Sequence, residues 1–288
     1  MSVQTYLEQT RRFLEYLGLE EEPVGAFYSD IKPEKAFAPK AGPPLSRELE
    51  EKGQLNMREL FGNFSCVIGN IWLARKKRGV AYISAEQYGC VGGGFYTGMY
   101  APHLRFIECY VSTGMPGTPM QGERYMPSPQ SMREFMENLA PRKAPAQYCI
   151  FKPLSLFAED EEPEFLIFFA RPEVITGLFT QAAFVTGDPH GVVSPFGAGC
   201  ANIISWPIYY KERGEEKAVL GGFDPSQRKF VKTDELTFTV PLGLYRKMLD
   251  ALPESMFNVG HAWGDVRKKV ARSAAAWEKK IKTDDAAG

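Results

Sequence analysis

The sequence predicts an α+β protein in which one mixed β-sheet is flanked by helices. Helix-like and strand-like stretches alternate irregularly along the 288 residues, and the strand candidates are short. A strict β-α-β series, typical of a parallel sheet, is not visible. A chain of this length can bury about three quarters of its unfolded surface, and 44% of its residues are hydrophobic. We therefore expect a single compact domain over residues 1–288.

Local patterns in the first half of the chain predict short helices and strands in alternation. In order they are a helix over 3–17 that stops near Gly18, a strand over 23–28, a loop over 31–45, a helix with a basic end at 75–78, a strand over 80–84, and a helical stretch from Cys90 that breaks at Pro102 and continues over 104–111. Asn63 or Ser65 is the expected N-cap of the basic-ended helix, and Gly79 its expected end.

The segment 112–130 is rich in Gly, Pro and Met, which predicts a flexible loop or lid, with an ordinary surface loop as the alternative. Beyond it the patterns predict strands over 147–152 and 165–171 joined by an acidic hairpin over 159–164, a helix over 172–185, a turn over 187–191, a short helix after Cys200, strands over 219–222 and 237–240, and a helix over 241–252.

The last predicted element is an amphipathic helix over 264–282. Its apolar face consists of Val266, Val270, Ala274, Trp277 and Ile281. Most of the Lys and Arg residues of this stretch lie on the opposite face, which is typical of a solvated surface.

Charge and hydropathy exclude several classes of protein. The 34 Lys and Arg residues nearly balance the 35 Asp and Glu residues, so nucleic acid is not the expected partner. No apolar stretch approaches the roughly 20 residues that span a bilayer, and the N-terminus lacks the apolar region of a signal peptide. We expect a cytoplasmic protein without membrane contact, whose partner is a small molecule or a metal cluster.

Three of the five cysteines share one local setting. Cys66, Cys90 and Cys200 each stand beside glycine or small polar residues, just ahead of a helix-like apolar run. A helix N-terminus offers unpaired N–H groups and the positive end of the helix dipole, which favour thiolate over thiol. The other two, Cys109 and Cys149, lie inside apolar stretches and are expected to be buried packing residues.

Residues 66–98 carry a more specific pattern: Cys66, eight residues, Arg75, two residues, Arg78 and Gly79, then Gly89-Cys-x-Gly-Gly93 and a closing Gly98. Together with Pro23-Val-Gly25, Lys152-Pro-Leu154, the small residues ending in Cys200, and Pro241-Leu242, this resembles domain-of-unknown-function family 169, an uncharacterised prokaryotic family. Val91 stands where the family pattern leads us to expect proline. The resemblance implies that Cys66, Cys90 and Cys200 are family-type positions, and it implies no substrate.

The first functional interpretation is a shared pocket in which Cys66, Cys90 and Cys200 bind an iron–sulfur cluster or another thiophilic metal. Three thiolates would leave one iron open to substrate or to a fourth ligand, for which His103 and His190 are candidates. Glycine permits a bulky group to approach the backbone closely. The positions expected beside the bound group are Gly92, Gly93 and Gly199.

Three alternatives remain open at this stage. The chain could be a non-catalytic protein that binds a small anion or small molecule through its Gly-rich helix starts, with Arg75, Arg78 or Arg228 supplying charge. It could be a thiol-based redox or nucleophilic enzyme, for which His103, His190 and His261 are the possible bases. Finally, the cysteines and glycines could serve close helix packing alone. Whether the protein is an enzyme is not decided by the sequence.

Overall fold

The computed structural model describes residues 3–99, 104–139, 143–258 and 262–285. The strands are β1 (Val24–Ser29), β2 (Ala81–Ser84), β3 (Tyr148–Pro153), β4 (Phe165–Ala170), β5 (Val192–Val193), β6 (Ala218–Gly221) and β7 (Leu236–Pro241). The helices are α1 (Val3–Leu17), α2 (Arg47–Glu51), α3 (Met57–Gly62), α4 (Val67–Lys77), α5 (Val91–Thr97), α6 (Arg105–Val111), α7 (Pro129–Asn138), α8 (Pro172–Thr186), α9 (Trp206–Glu212), α10 (Leu242–Asp250) and α11 (Ala262–Asp285). A π-helix (Ala201–Ser205) directly precedes α9.

The seven described strands form one open sheet in the order β2-β3-β1-β4-β7-β6-β5. Neighbouring strands are antiparallel except for the short parallel pair of β5 and β6. The sheet is therefore mixed, and with helices around it the α+β prediction is confirmed.

The sheet is covered by helices on both faces, as its central strand β4 illustrates. Phe165, Ile167 and Phe169 point to one side, where they belong to a core built with α4, α5, α7 and the π-helix. Leu166 and Phe168 point to the other side, toward α1, α8 and α10. Because successive residues of a strand face opposite ways, a strand buried on both faces reads as a continuous apolar run. This is why Phe-Leu-Ile-Phe-Phe-Ala was recognisable in the sequence.

The prediction of an acidic hairpin over 159–164 is wrong. The strands β3 and β4 that it would join do not pair with each other, because β1 lies between them and pairs antiparallel with both. Strand alternation in a sequence indicates that strands exist, whereas their order depends on pairing between distant segments.

Helix α4 begins one residue after Cys66, which is its N-cap, so neither Asn63 nor Ser65 fills that position as predicted. The helix ends with Arg78 in the left-handed conformation, at φ 48°. Helix α5 ends at Gly98, with φ 73°, because glycine adopts this conformation without steric cost. The break predicted at Pro102 lies outside the described residues.

The segment after α6 is a compact loop that folds back along the helix. Backbone N–H groups of Glu123, Arg124 and Tyr125 donate to the carbonyl groups of Tyr110, Ser112 and Val111, respectively. These bonds hold the far end of the loop beside α6. Its flexibility stays a prediction.

The C-terminal helix α11 extends the predicted stretch 264–282 by a few residues at each end. Its predicted apolar face is exposed to solvent: Val266, Val270, Trp277 and Ile281 are 45, 59, 62 and 58% exposed, respectively. Trp263, at the start of the helix, is buried in the core with α1 and α8. Over the described residues, no helix combines the length and apolarity needed to cross a membrane.

Candidate functional site

A cavity of about 440 Å³ opens on one side of the sheet, where α4, α5, α6, α7 and the segment before the π-helix meet. Its wall is largely aromatic and aliphatic, and includes Phe95, Tyr96, Phe106 and Phe135. Sites for organic ligands commonly combine such an apolar wall with a few polar groups. Among the aromatic residues near the cysteines in sequence, Phe95, Tyr96 and Phe196 line this cavity.

Cys66, Cys90 and Cys200 all line the cavity. Each stands at the start of a helix: Cys66 and Cys90 are the N-caps of α4 and α5, and Cys200, already helical in its backbone, directly precedes the π-helix. The backbone N–H of Gly93 donates to Cys90 Sγ at 3.1 Å, and the Cys200 thiol approaches the Gly92 carbonyl oxygen at 4.0 Å. The predicted placement of these cysteines at helix starts is confirmed, and the fold brings three distant segments together around one space.

Burial outweighs the helix termini in setting the ionisation of these thiols. Burial raises the pKa of Cys66, although the N–H groups of Gly69 and Ile68 oppose it. For Cys90, burial and then the neighbouring Cys66 raise the pKa to about 12, against the N–H groups at the start of α5. The pKa of Cys200 is raised by burial and then by Cys90 and Cys66. The thiols are therefore neutral near pH 7 in the ligand-free protein, contrary to the expected thiolates.

The other two cysteines are buried, as predicted, and neither of them lines the cavity. Cys109 in α6 is 2% exposed and Cys149 in β3 is 1% exposed, and both pack as small apolar side chains.

Among the described residues, no group of three or more His, Cys, Asp or Glu side chains is arranged to hold a metal ion. The three cysteines share a cavity, and their role as ligands stays a prediction.

The glycines of the predicted site have different surroundings. Gly92 and Gly199 line the cavity. A Cβ atom on Gly93 would lie 2.5 Å from Val67 Cγ2 and 2.9 Å from the Tyr88 carbonyl oxygen. Gly93 is therefore needed for the close approach of α5 to α4, which sets Cys90 beside Cys66.

Of the cationic and histidine candidates that the structure describes, none lines the cavity. Arg75 pairs with glutamates and Arg78 pairs with Glu22, while Arg228 donates to backbone carbonyl groups of 232 and 235. His190 is exposed in the turn before β5. His103 and His261 lie outside the described residues.

Three polar residues of the cavity were not recognised in the sequence: Glu123, Asp224 and Gln227. Asp224 accepts from the backbone N–H groups of Gly199 and Ser226. The run Asp-Pro-Ser is a helix-capping signal that could have indicated Asp224. No local pattern marks Glu123 or Gln227, which reach the cavity only through the path of the chain.

Replacing Cys90 with serine should reduce the loss of stability at alkaline pH. The Cys90 pKa is raised from 9.0 to about 12 on folding, so the unfolded chain ionises first and the native state loses stability as pH rises through this window. Between pH 9 and 10 the wild-type free energy of unfolding should fall by about 1 kcal/mol more than that of Cys90→Ser. Serine preserves a helix cap. Urea unfolding at each pH measures the difference, and parallel decreases for both proteins contradict the assigned shift.

One family model matches the chain over residues 12–251: DUF169, described as an uncharacterised ArCR family. The match includes the three cysteines and every described residue named above as lining the cavity, and it ends before α11. No curated protein and no solved structure matches the chain.

Proposed function

Because the chain belongs to the DUF169 family, whose description names no activity, we propose from the cavity alone that Cys66, Cys90 and Cys200 hold an iron–sulfur cluster. The observation that carries this proposal is the position of the three thiols. Each stands at the start of a different helix, and all three line one cavity.

The chemistry of the donors supports a thiophilic group. Thiolates are the ligands of iron–sulfur clusters and of soft metals. In the ligand-free protein these thiols are held neutral, and Cys66 and Cys90 each contribute to raising the pKa of Cys200. A positively charged metal centre reverses this balance, because it stabilises thiolates and releases their protons. The backbone N–H groups at the starts of α4 and α5 then stabilise the sulfurs of Cys66 and Cys90.

We propose a cluster in preference to a single ion because of how the two kinds of centre are coordinated. A single tetrahedral ion needs donor sulfurs about 2.3 Å from one centre, and the described residues contain no group arranged in that way. In a cluster each thiolate binds a different iron, so the sulfurs stand farther apart. When bound, a cluster held by three thiolates would leave one iron without a protein ligand and would supply electron-transfer or Lewis-acid chemistry.

Small-molecule binding without metal is the second candidate, and the apolar wall of the cavity favours it. A cavity lined by aromatic side chains such as Phe95, Phe106 and Phe135 suits an organic ligand. The alternative in which the cavity binds a small anion is less favoured, because the arginines proposed to supply charge, Arg75, Arg78 and Arg228, bond to other residues.

Anaerobic purification followed by iron and sulfide analysis and a visible spectrum tests the cluster. We expect a brown protein whose iron and absorption are lost in Cys66→Ala, Cys90→Ala and Cys200→Ala. The matched controls Cys109→Ala and Cys149→Ala remove buried cysteines outside the cavity and should retain both signals. A colourless protein after anaerobic reconstitution with iron and sulfide, or equal loss in the controls, would rule out the cluster and leave the small-molecule site.

A further inference from the structure

Exposed aromatic side chains surround the mouth of the cavity. Phe61, Phe64, Phe196 and Phe223 are 52, 54, 58 and 55% exposed, respectively, and each lines the cavity. Isolated exposed apolar residues are common, but several around one opening are typical of a ligand-binding surface. The opening therefore suits an organic ligand with an apolar body.

The charged side chains that are described in the cavity lining are acidic. Its lining includes the carboxylates Glu123 and Asp224, and among the described residues no Lys, Arg or His lines it. Lys229 acts electrostatically on the Cys66 thiol from outside the lining. An anionic ligand would meet two like charges here, whereas a cation would be attracted by them and by the negative faces of the aromatic rings.

Glu123 lies in surroundings that disfavour the charged form of its side chain. Burial and the negative charge of Asp224 raise the pKa of Glu123, while a hydrogen bond with the Tyr110 hydroxyl opposes the shift. Tyr125, from the same loop, also lines the cavity. A cation placed beside these groups would relieve the repulsion between the two carboxylates.

Gln227 gives an independent indication of a ligand. Its side chain is 1% exposed, it borders the cavity, and neither Nε2 nor Oε1 has a hydrogen-bond partner among the described residues. Buried amide groups without partners are uncommon in native proteins, because each costs the free energy of its lost hydration. A ligand with an N–H donor would satisfy Gln227 Oε1.

We propose that the cavity binds an organic cation, with an ammonium-type group between Glu123 and Asp224 and an apolar body among the aromatic side chains. The inference rests on the proposed function only in using the same cavity, and it does not require the cluster. It names the class of ligand that would stand beside the three cysteines.

Binding of three matched probes to the full chain tests the proposal: benzylammonium, benzyl alcohol and benzoate, which share a ring and differ in charge. Calorimetry or ligand-observed NMR at pH 7 and low salt should give binding in the order benzylammonium, benzyl alcohol, benzoate. Glu123→Gln should weaken benzylammonium about fivefold and leave benzyl alcohol unchanged. Glu34→Gln, which removes an exposed carboxylate away from the cavity lining, is the control and should leave all three affinities unchanged.

The same titrations in iron-free and reconstituted protein separate this proposal from the cluster. Benzylammonium binding to iron-free protein decides the cation site, whereas iron and sulfide content decide the cluster. Benzoate binding as tightly as benzylammonium, an unchanged affinity in Glu123→Gln, or no binding of benzylammonium would each overturn the cation site. Circular dichroism of Glu123→Gln confirms that the variant is folded.

Discussion

Arg75→Ala should lower the free energy of unfolding by about 3 kcal/mol, because it breaks a buried ion pair and leaves the partly exposed Glu21 and the buried Glu235 with only a lysine partner each. The Arg75 side chain is 2% exposed. Its guanidinium donates to both carboxylate oxygens of Glu21 at 2.7 and 2.8 Å and lies 3.7 Å from Glu235. It also stacks on the Phe169 ring, 3.9 Å from its centre. This arrangement fixes the C-terminal half of α4 against the sheet, and Cys66 is the N-cap of α4.

Arg78→Ala is the matched control for this prediction. Arg78 lies three residues farther along and pairs with Glu22, but its side chain is 70% exposed. An exposed pair contributes at most about 1 kcal/mol. Urea unfolding at pH 7 compares the two variants, and equal losses for Arg75→Ala and Arg78→Ala would show that burial does not decide the strength of these pairs.

The elements that were predicted correctly are those whose sequence pattern involves only neighbouring residues. Helix α1 has an apolar stripe ended by Gly18, and β4 is an uninterrupted apolar run, so both were recognisable from a few neighbouring residues. Helices α2 and α3 were missed because they have only five and six residues, too few for a helical period to appear. Helix α7 was missed because it begins at Pro129, at the end of a segment whose Gly, Pro and Met content indicates a loop.

Strand order could not be obtained from the same local signals. Strand β1 pairs with both β3 and β4, although more than a hundred residues separate it from them in sequence. No local pattern states which strand lies beside which. The hairpin was predicted because adjacent strands in sequence usually pair, and this sheet departs from that tendency.

The position of the three cysteines at helix starts was predictable from the sequence, whereas the polar residues that line the cavity with them were missed. The small residues beside Cys66, Cys90 and Cys200 indicate helix starts, and a helix start is a local property. Ionisation is not local, since burial by distant segments raised thiol pKa values that the helix termini alone would lower. Glu123 and Gln227 likewise acquire their significance only when the loop after α6 and the segment before β7 close around the cavity.

Gly93→Ala should destabilise the protein by about 3 kcal/mol, near the upper end of the usual cost of overpacking. The added Cβ would lie 2.5 Å from Val67 Cγ2, 2.9 Å from the Tyr88 carbonyl oxygen and 3.3 Å from Cys90 Sγ. The backbone carbonyl cannot turn aside as the end of a flexible side chain could. Helix α5 must therefore move away from α4, and Cys90 moves away from Cys66 with it.

Gly92→Ala is the matched control, since it makes the same change one residue earlier in the same helix. Its Cβ would meet only the Tyr96 ring, at 3.7 Å, and alanine favours a helix over glycine by up to about 1 kcal/mol. We expect Gly92→Ala to be neutral or slightly stabilising in urea unfolding. If close contact between α4 and α5 also positions the cysteines, anaerobically reconstituted Gly93→Ala should bind less iron than Gly92→Ala under conditions where both are folded. Equal iron in both variants would show that the spacing between these helices does not control the cysteine site.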